Sequence, residues 1–113
     1  MAFPSTYNIN YYRGDTYKFE ISPKNSDGGA FPLNGFTAQM TIASSRGANP
    51  TFHITTTVPK NENGTTLLCE ISPTTGRQLE SGTQYVYDVQ ISNDEIYTLL
   101  TGTITVTEDV TGA

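Results

Sequence analysis

Residues 82–107, GTQYVYDVQISNDEIYTLLTGTITVT, decide the fold. The first half alternates apolar with mostly polar residues, and its apolar positions are Tyr85, Tyr87, Val89 and Ile91. The second half places a similar set in phase, namely Ile96, Leu100, Ile104 and Val106. Because successive strand side chains point to opposite faces, each half buries one side and exposes the other. Asn93 and Asp94 between the halves favour a hairpin turn. The stretch therefore predicts an antiparallel hairpin at the centre of an all-β domain.

Five further segments alternate in the same way, at residues 7–12, 16–22, 36–42, 52–58 and 67–71. The first of these is expected at a sheet edge. Residues 61–64, Asn-Glu-Asn-Gly, predict a hairpin turn between the fourth and fifth strands, since Asn and Gly tolerate positive φ. Ser72 and Pro73 predict a short helical turn, with Leu79 facing inward. Turns spaced by roughly 8–12 residues are typical of a sandwich or barrel. We therefore expect residues 1–113 to form one β-sandwich domain of about seven antiparallel strands in two packed sheets.

Charge and cysteine content exclude several classes of protein. The net charge is -5, from 11 acidic and six basic residues, whereas binding to nucleic acid needs clustered Lys and Arg. Cys69 is the single cysteine, so the chain cannot form an internal disulfide, which is typical of a reducing compartment. The first ten residues lack the pattern of a signal peptide, and no stretch has the roughly 18 apolar residues of a membrane helix. We expect a soluble protein made in the cytosol, with neither nucleic acid nor membrane as partner.

The residue types that carry chemistry are scattered. His53, the single histidine, falls on the wet face of its strand, whereas Cys69 falls on the core face between two aliphatic residues. The neighbouring acidic pairs, at residues 94–95 and 108–109, would point to opposite faces of a strand. The Arg-Gly-Asp triplet at residues 13–15 is ordinary turn chemistry. We therefore expect no catalytic residue, no metal site and no cofactor.

Residues 79–87, LESGTQYVY, look like the corner that leads into the sixth strand of an immunoglobulin-type domain. In that corner a tyrosine hydroxyl bonds back to the preceding turn. Tyr85 would be that tyrosine, and Tyr87 would stand where antibody domains place a cysteine. The resemblance implies an Ig-like sandwich that lacks the usual core Trp.

A wider resemblance covers nearly the whole chain. The phrases TYNINYYRGDTYKFEI, LNGFTAQMTI and YVYDVQI followed by YTLLTGTITVTEDVT are similar to small Ig-like virion proteins of tailed bacteriophages. They also resemble short structural proteins from phages of cyanobacteria and the N-terminal domain of upper-baseplate proteins. The resemblance implies a structural part of a virus particle with no catalytic residues. It leaves open whether that part belongs to the head, the tail or the baseplate.

Apolar side chains on nominally wet positions mark a candidate docking surface. Because Tyr11 and Tyr12 are adjacent, one of them must face away from the core. The candidate interface residues are Tyr7, Tyr11, Tyr12, Leu68, Val86 and Leu99. Two interpretations stay open: the residues gather into a patch, or sheet edges and corners simply blur the two faces.

The sequence thus predicts a non-enzymatic virion structural protein that docks onto other virion proteins. It would be a capsid decoration or cement protein or a small tail or baseplate component, located in the virion and assembled in the bacterial cytoplasm. Pairing with itself as a homo-oligomer is a further option for its partners. The alternative is a host-receptor or carbohydrate-binding adhesin module, in which Tyr12 or Tyr97 would stack on sugars. A small hydrolase would need reactive groups converging in a cleft, and a lone histidine argues against it.

Overall fold

The computed structural model describes residues 4–25, 27–47 and 51–108. Within these ranges the chain forms eight strands and one helical turn, and no helix has both the length and the apolar character needed to cross a bilayer. The strands are β1 (Ser5–Thr6), β2 (Ile9–Tyr12), β3 (Tyr17–Ile21), β4 (Thr37–Ala43), β5 (His53–Thr57), β6 (Leu67–Ile71), β7 (Gln84–Ser92) and β8 (Ile96–Thr107), and the helical turn is α1 (Pro73–Gly76). The all-β prediction is confirmed.

The strands form two sheets. The larger has six strands in the order β1-β8-β7-β4-β5, with β2 also paired to β8, and the smaller is the ribbon β3–β6. All pairs are antiparallel except those of β1 and β2, which run parallel to β8. The first predicted strand therefore lies at an edge, as expected, but it begins at Ile9, with the short strand β1 before it, and the prediction that it is antiparallel is wrong. The physical reason is that its neighbour is the last strand of the chain and runs in the same direction.

Side chains from both sheets enter one hydrophobic cluster. Tyr85, Tyr87, Val89 and Ile91 are all buried, as the alternation of β7 predicts. From the ribbon, Phe19 reaches the same cluster, and its ring meets the ring of Tyr87 edge-on with the centroids 6.3 Å apart. Such an edge-to-face pair adds a geometric preference to the burial of apolar area. The core thus joins the ribbon to the larger sheet.

The corner that precedes β7 forms as the sequence predicts. Ser72 caps α1 by accepting a hydrogen bond from the backbone of Thr75, and Pro73 occupies the first turn, where its missing N–H does no harm. The hydroxyl of Tyr85 accepts a hydrogen bond of 2.8 Å from the backbone N–H of Glu80. Leu79 is buried within the same corner. The expected back-bond from this tyrosine to the turn is therefore present.

A β-bulge changes the phase of β8 and corrects part of the hairpin prediction. Leu100 stands opposite Val89 and Thr98 stands opposite Gln90, so Leu99 is the extra residue between them. Before the bulge the core-facing residue is Tyr97, opposite Ile91, whereas Ile96 is 69% exposed. Ile96 was expected in phase with Leu100, and that expectation is wrong because the extra residue reverses the alternation.

The turn at residues 61–64 forms with an antiparallel bridge between Lys60 and Leu67, but the pairing does not extend to the strands β5 and β6. Gly64 adopts a positive φ of 67°, and the side-chain oxygen of Asn61 accepts from the backbone N–H groups of Thr65 and Thr66. The strands on either side nevertheless belong to different sheets, since β5 pairs with β4 and β6 pairs with β3. The turn therefore carries the chain across from the larger sheet to the ribbon.

Candidate interaction surface

The surface of the larger sheet that faces away from the core, here called the outer face, carries mostly threonine and other polar side chains. Alternation in β4, β5, β7 and β8 sends every second residue to this face. The register aligns them in rows across the sheet: Thr103, Val86, Ala43 and His53; then Thr101, Asp88, Thr41 and Thr55; then Thr98, Gln90, Gln39 and Thr57. Asp88 is the one carboxylate in these rows.

Cross-strand hydrogen bonds tie the outer face together. The hydroxyl groups of Thr41 and Thr55 lie 3.0 Å apart, and the amide of Gln90 donates to the hydroxyl of Thr98 at 3.1 Å. Pairs of this kind each contribute roughly 0.2–1 kcal/mol to a sheet. Because threonine is branched at Cβ, the rotation of its side chain about χ1 is also restricted. The outer face is therefore a stiff surface.

A shallow groove of about 390 Å³ crosses the outer face beside Arg46. The Arg46 guanidinium donates to the backbone oxygen of Gly102 at 3.1 Å, which draws this side chain from the loop after β4 over the sheet. Asp88, Val86 and His53 also line the groove. Burial raises the pKa of the Asp88 carboxyl, and the positive charge of Arg46 partly offsets that effect. The arrangement leaves the face close to neutral.

Asp88 gives the stability of the protein a pH dependence with a defined sign. Its pKa in the folded chain lies above the reference value of 3.8. At pH values between the unfolded and the folded pKa, the native state therefore binds more protons than the unfolded state. The free energy of unfolding should therefore fall as pH rises from about 3.8 through the folded pKa. Asp88→Asn removes this decline, so we expect the variant to gain stability relative to the wild type between pH 3 and pH 7. Urea unfolding at both pH values measures it.

The matched control for that prediction is Asp94→Asn in the exposed turn between β7 and β8. This substitution also replaces an aspartate carboxylate by an amide, but at a site away from the groove. A stability difference between Asp88→Asn and wild type that is equal at the two pH values, or larger at the acidic one, would contradict the assignment.

The ribbon presents a different surface. The outward residues of β3 and β6 include Lys18, Glu20 and Glu70, with Leu68 between them at 37% exposure. Cys69 on the same strand faces the core, where it is buried, and desolvation raises the pKa of its thiol to about 12. A thiol that stays protonated behaves as a small apolar residue. The ribbon is thus a charged, solvated face over a filled core.

Four of the six candidate interface residues reach the surface, in three separate places. Tyr12, which is 54% exposed, and the half-buried Val86 lie on the outer face. Leu68 lies on the ribbon. Tyr7, at 40% exposure, packs its ring against Phe19 with the centroids 5.6 Å apart. The residues therefore do not gather into a single patch.

The two remaining candidates, Tyr11 and Leu99, are buried, so the prediction that they belong to an interface is wrong. Tyr11 is buried, and its hydroxyl donates to the backbone oxygen of Asp15 at 2.6 Å, so Tyr12 is the member of the pair that faces away from the core. Leu99 is buried because it is the bulge residue of β8 and has left the alternation that would have exposed it. Neither side chain is available to a partner on this surface.

One exposed apolar residue escaped the sequence reasoning. Ile96 stands opposite Ser92 at the start of β8, and this pairing places it on the outer face. Its exposure follows from the bulge at Leu99, and the sequence, which shows only two adjacent leucines there, does not indicate a bulge. With Tyr12 at the other end of the sheet and Val86 between them, the outer face carries three apolar contact points.

Of the reactive side chains in the described residues, His53, Asp88 and Ser45 line the groove of the outer face, whereas Cys69 is buried on the ribbon. His53 is exposed on the outer face, as predicted. Within residues 4–25, 27–47 and 51–108 no three His, Cys, Asp or Glu side chains lie close enough to hold a metal ion. Arg13, of the Arg-Gly-Asp triplet, donates to the backbone oxygens of Leu79 and Arg77 at 2.8 and 2.7 Å. Its guanidinium thus fastens β2 to the corner before β7.

Comparison with known proteins adds no relative: neither a scan against models of protein families nor a search of curated proteins finds a match for this chain.

Proposed function

We propose that the two sheets form an Ig-like β-sandwich. In such a domain two antiparallel sheets pack face to face over one core, and a tyrosine closes the corner before the sixth strand. The ribbon β3–β6 and the bond from Glu80 to Tyr85 support this assignment. The ring pair of Phe19 and Tyr87 then stands where antibody domains have their inter-sheet disulfide. An aromatic contact in that place suits a chain assembled in a reducing compartment.

We further propose that the protein is a non-enzymatic structural component of a tailed-phage virion and docks through its outer face. The observation that carries the proposal is the contrast between its two surfaces. The rows of the outer face are mostly threonine and glutamine, with the opposite charges of Asp88 and Arg46 at the groove, whereas the ribbon carries Lys18, Glu20 and Glu70. The core of a protein interface is depleted of charged residues, because charges are costly to desolvate. The outer face therefore suits a protein partner better.

The stiffness of the outer face favours docking as well. Ordering long side chains on binding costs about 0.5–1.5 kcal/mol for each one immobilised. The threonines of this face are already held by their branching and by cross-strand bonds such as that between Thr41 and Thr55. Binding therefore costs little side-chain entropy on this face, and a larger part of the interaction energy with a partner of complementary shape contributes to the affinity.

The size of the outer face is adequate for a stable contact. Five neighbouring strands span about 24 Å across the sheet, and the nine residues of β7 span about 30 Å along it. The resulting area of roughly 700 Å² approaches the ~800 Å² that each partner contributes to a standard interface. One neighbouring virion protein would cover it.

The proposed partners are other virion proteins, and the proposed roles are capsid decoration or cementing and a small fitting of the tail or baseplate. The protein would be made and assembled in the bacterial cytoplasm and would reside in the virion. Quantitative mass spectrometry of purified source particles tests this. We expect the protein in a fixed whole-number ratio to a major structural protein, and its absence from purified particles would refute the proposal.

Docking itself is tested with a charge placed at the centre of the outer face. Thr41→Arg inserts a guanidinium between Asp88 and Thr55, and we expect it to weaken binding to particles lacking the protein by at least about tenfold, or about 1.4 kcal/mol. Thr74→Arg adds the same charge at an exposed position of α1 and should bind as the wild type does. Equal binding by Thr41→Arg and Thr74→Arg would exclude the outer face.

The adhesin alternative is supported by a single feature. Tyr12 is exposed on the outer face and free to stack on a sugar. Tyr97, the second candidate for such stacking, packs instead against Phe31 and Phe36 with centroid distances of 6.3 and 6.1 Å. Specific binding on a glycan array that is lost in Tyr12→Ala would favour the adhesin over the virion component.

A further inference from the structure

Strand β5 forms an open edge of the larger sheet. Among the residues that the structure describes, β4 is its only pairing partner. Such an edge presents a row of N–H and C=O groups that can pair with another strand.

The hydrogen bonds at the two ends of β5 settle which groups are free. The backbone oxygen of Phe52 accepts from Ser44, and the N–H of Val58 donates to Ala38. Both bonds are made to β4. Because the backbone N–H and C=O groups of successive residues point to opposite sides of a strand, the backbone groups of Ile54 and Thr56 also point toward β4. The N–H and C=O groups of His53, Thr55 and Thr57 consequently point away from the sheet.

This edge lacks the features that usually prevent edge-to-edge pairing. Natural edge strands are protected by Lys, Pro, bulges or inward-pointing charges. The sequence of β5 is His-Ile-Thr-Thr-Thr, with no acidic, lysine, arginine or proline residue, and its register with β4 runs over five residues without a shift. β-branched residues fill four of its five positions and favour an extended strand.

We propose that β5 pairs antiparallel with β5 of a second copy of this chain, about a two-fold axis at Thr55. In this register Thr55 stands opposite Thr55 of the other copy, and His53 stands opposite Thr57. Each copy offers three outward N–H groups, so two copies form six hydrogen bonds. No like charges meet across the axis, and threonine–threonine pairs are favourable on a sheet surface. The self-complementary edge is what selects a second copy as occupant.

The pairing would close at two copies and extend the outer face. An isologous contact uses the same edge on both chains, so no β5 edge is left for a third. The row of Thr101, Asp88, Thr41 and Thr55 would continue into the same row of the second copy, joining the two outer faces. This inference stands independently of the proposed virion role, since it concerns the free chain in solution.

Sedimentation velocity over a dilution series tests the pairing. We expect wild-type protein at high concentration to have twice the mass of the 12.3 kDa chain and to dissociate on dilution. Thr55→Lys should abolish the dimer, because two ammonium groups would face each other across the axis. Thr55→Pro should also abolish it by removing an outward N–H, which the ladder with β4 does not use. Thr103→Lys, on the outer face in β8, is the matched control and should dimerise like the wild type.

Hydrogen exchange then identifies the edge. The amides of Thr55 and Thr57 should exchange at least tenfold more slowly at dimer concentrations than after dilution, while outward amides elsewhere stay unchanged. A mass of 12.3 kDa at every concentration overturns the proposal. So does a dimer that survives Thr55→Lys or is lost in Thr103→Lys. If the free chain stays monomeric and these amides slow only on addition of virion particles, the edge belongs to a different partner and the pairing is also wrong.

Discussion

Replacing Tyr87 with alanine is expected to lower the free energy of unfolding by about 3–5 kcal/mol. The side chain of Tyr87 is only 1% exposed, and its ring packs edge-on against Phe19 of the ribbon. Its hydroxyl donates a 2.6 Å hydrogen bond to the backbone oxygen of Tyr7, in the segment between β1 and β2. Burial raises the pKa of Tyr87, so this proton stays in place at neutral pH. One side chain thus connects β7 with the ribbon and with the first strands, and urea unfolding measures its loss.

Tyr87→Phe separates the ring from the hydroxyl and serves as the matched control. It keeps the contact with Phe19 and removes only the hydrogen bond to the Tyr7 oxygen, so the expected loss is about 1 kcal/mol. If Tyr87→Ala cost no more than Tyr87→Phe, the aromatic contact would not be holding the ribbon to the larger sheet.

Gly102→Ala is expected to destabilise the protein by about 2–3 kcal/mol, although it adds only one methyl group. A Cβ at this position would lie 2.0 Å from the backbone oxygen of Tyr7 and 3.0 Å from the ring of Tyr87. The Tyr7 oxygen belongs to the backbone, and the Tyr7 N–H donates a hydrogen bond to the backbone oxygen of Thr101 that holds this segment in place. Relief of the clash therefore requires the first strands to move away from β8. Urea unfolding gives the loss, and hydrogen exchange of residues 5–12 should speed up before the rest of the chain.

Thr105→Ala in an exposed position of the same strand is the control for Gly102→Ala. It should change the free energy of unfolding by no more than about 0.5 kcal/mol. Unchanged stability and exchange in Gly102→Ala would mean that the segment at Tyr7 does not pack on β8 in solution.

Alternation within single strands predicted much of this fold because burial on one face is a local property. The buried series from Tyr85 to Ile91 and the core-facing Cys69 both follow from a period of two. The capped turn at Ser72 and the back-bond of Tyr85 follow from short-range hydrogen bonding, which neighbouring residues determine. These features need no knowledge of which strands are neighbours in space.

The features that escaped prediction all depend on partners distant in the chain. The bulge at Leu99 is a shift in the register between β7 and β8, and it exchanges the roles of Ile96 and Tyr97. The parallel pairing of β2 with β8 joins the two ends of the chain. The turn at residues 61–64 is locally correct, but its strands pair with β4 and β3 rather than with each other.

The candidate surface illustrates the same division. Adjacency alone established that one of Tyr11 and Tyr12 must be exposed, but it could not select Tyr12. Residues such as Thr41 and Thr101 carried no signal individually, since threonine on a wet strand face is ordinary. They become a surface only when the register of four strands aligns them, and the same register leaves β5 with a free edge.

A map of the assembled source particle from electron cryo-microscopy tests the central claim most directly. We expect density for this domain with the outer face, marked by Thr41, Val86 and Thr103, against a repeated structural protein, and with Lys18, Glu20 and Glu70 of the ribbon toward solvent. A particle in which the domain is absent, or in which the ribbon makes the contact while the threonine rows face solvent, would contradict it.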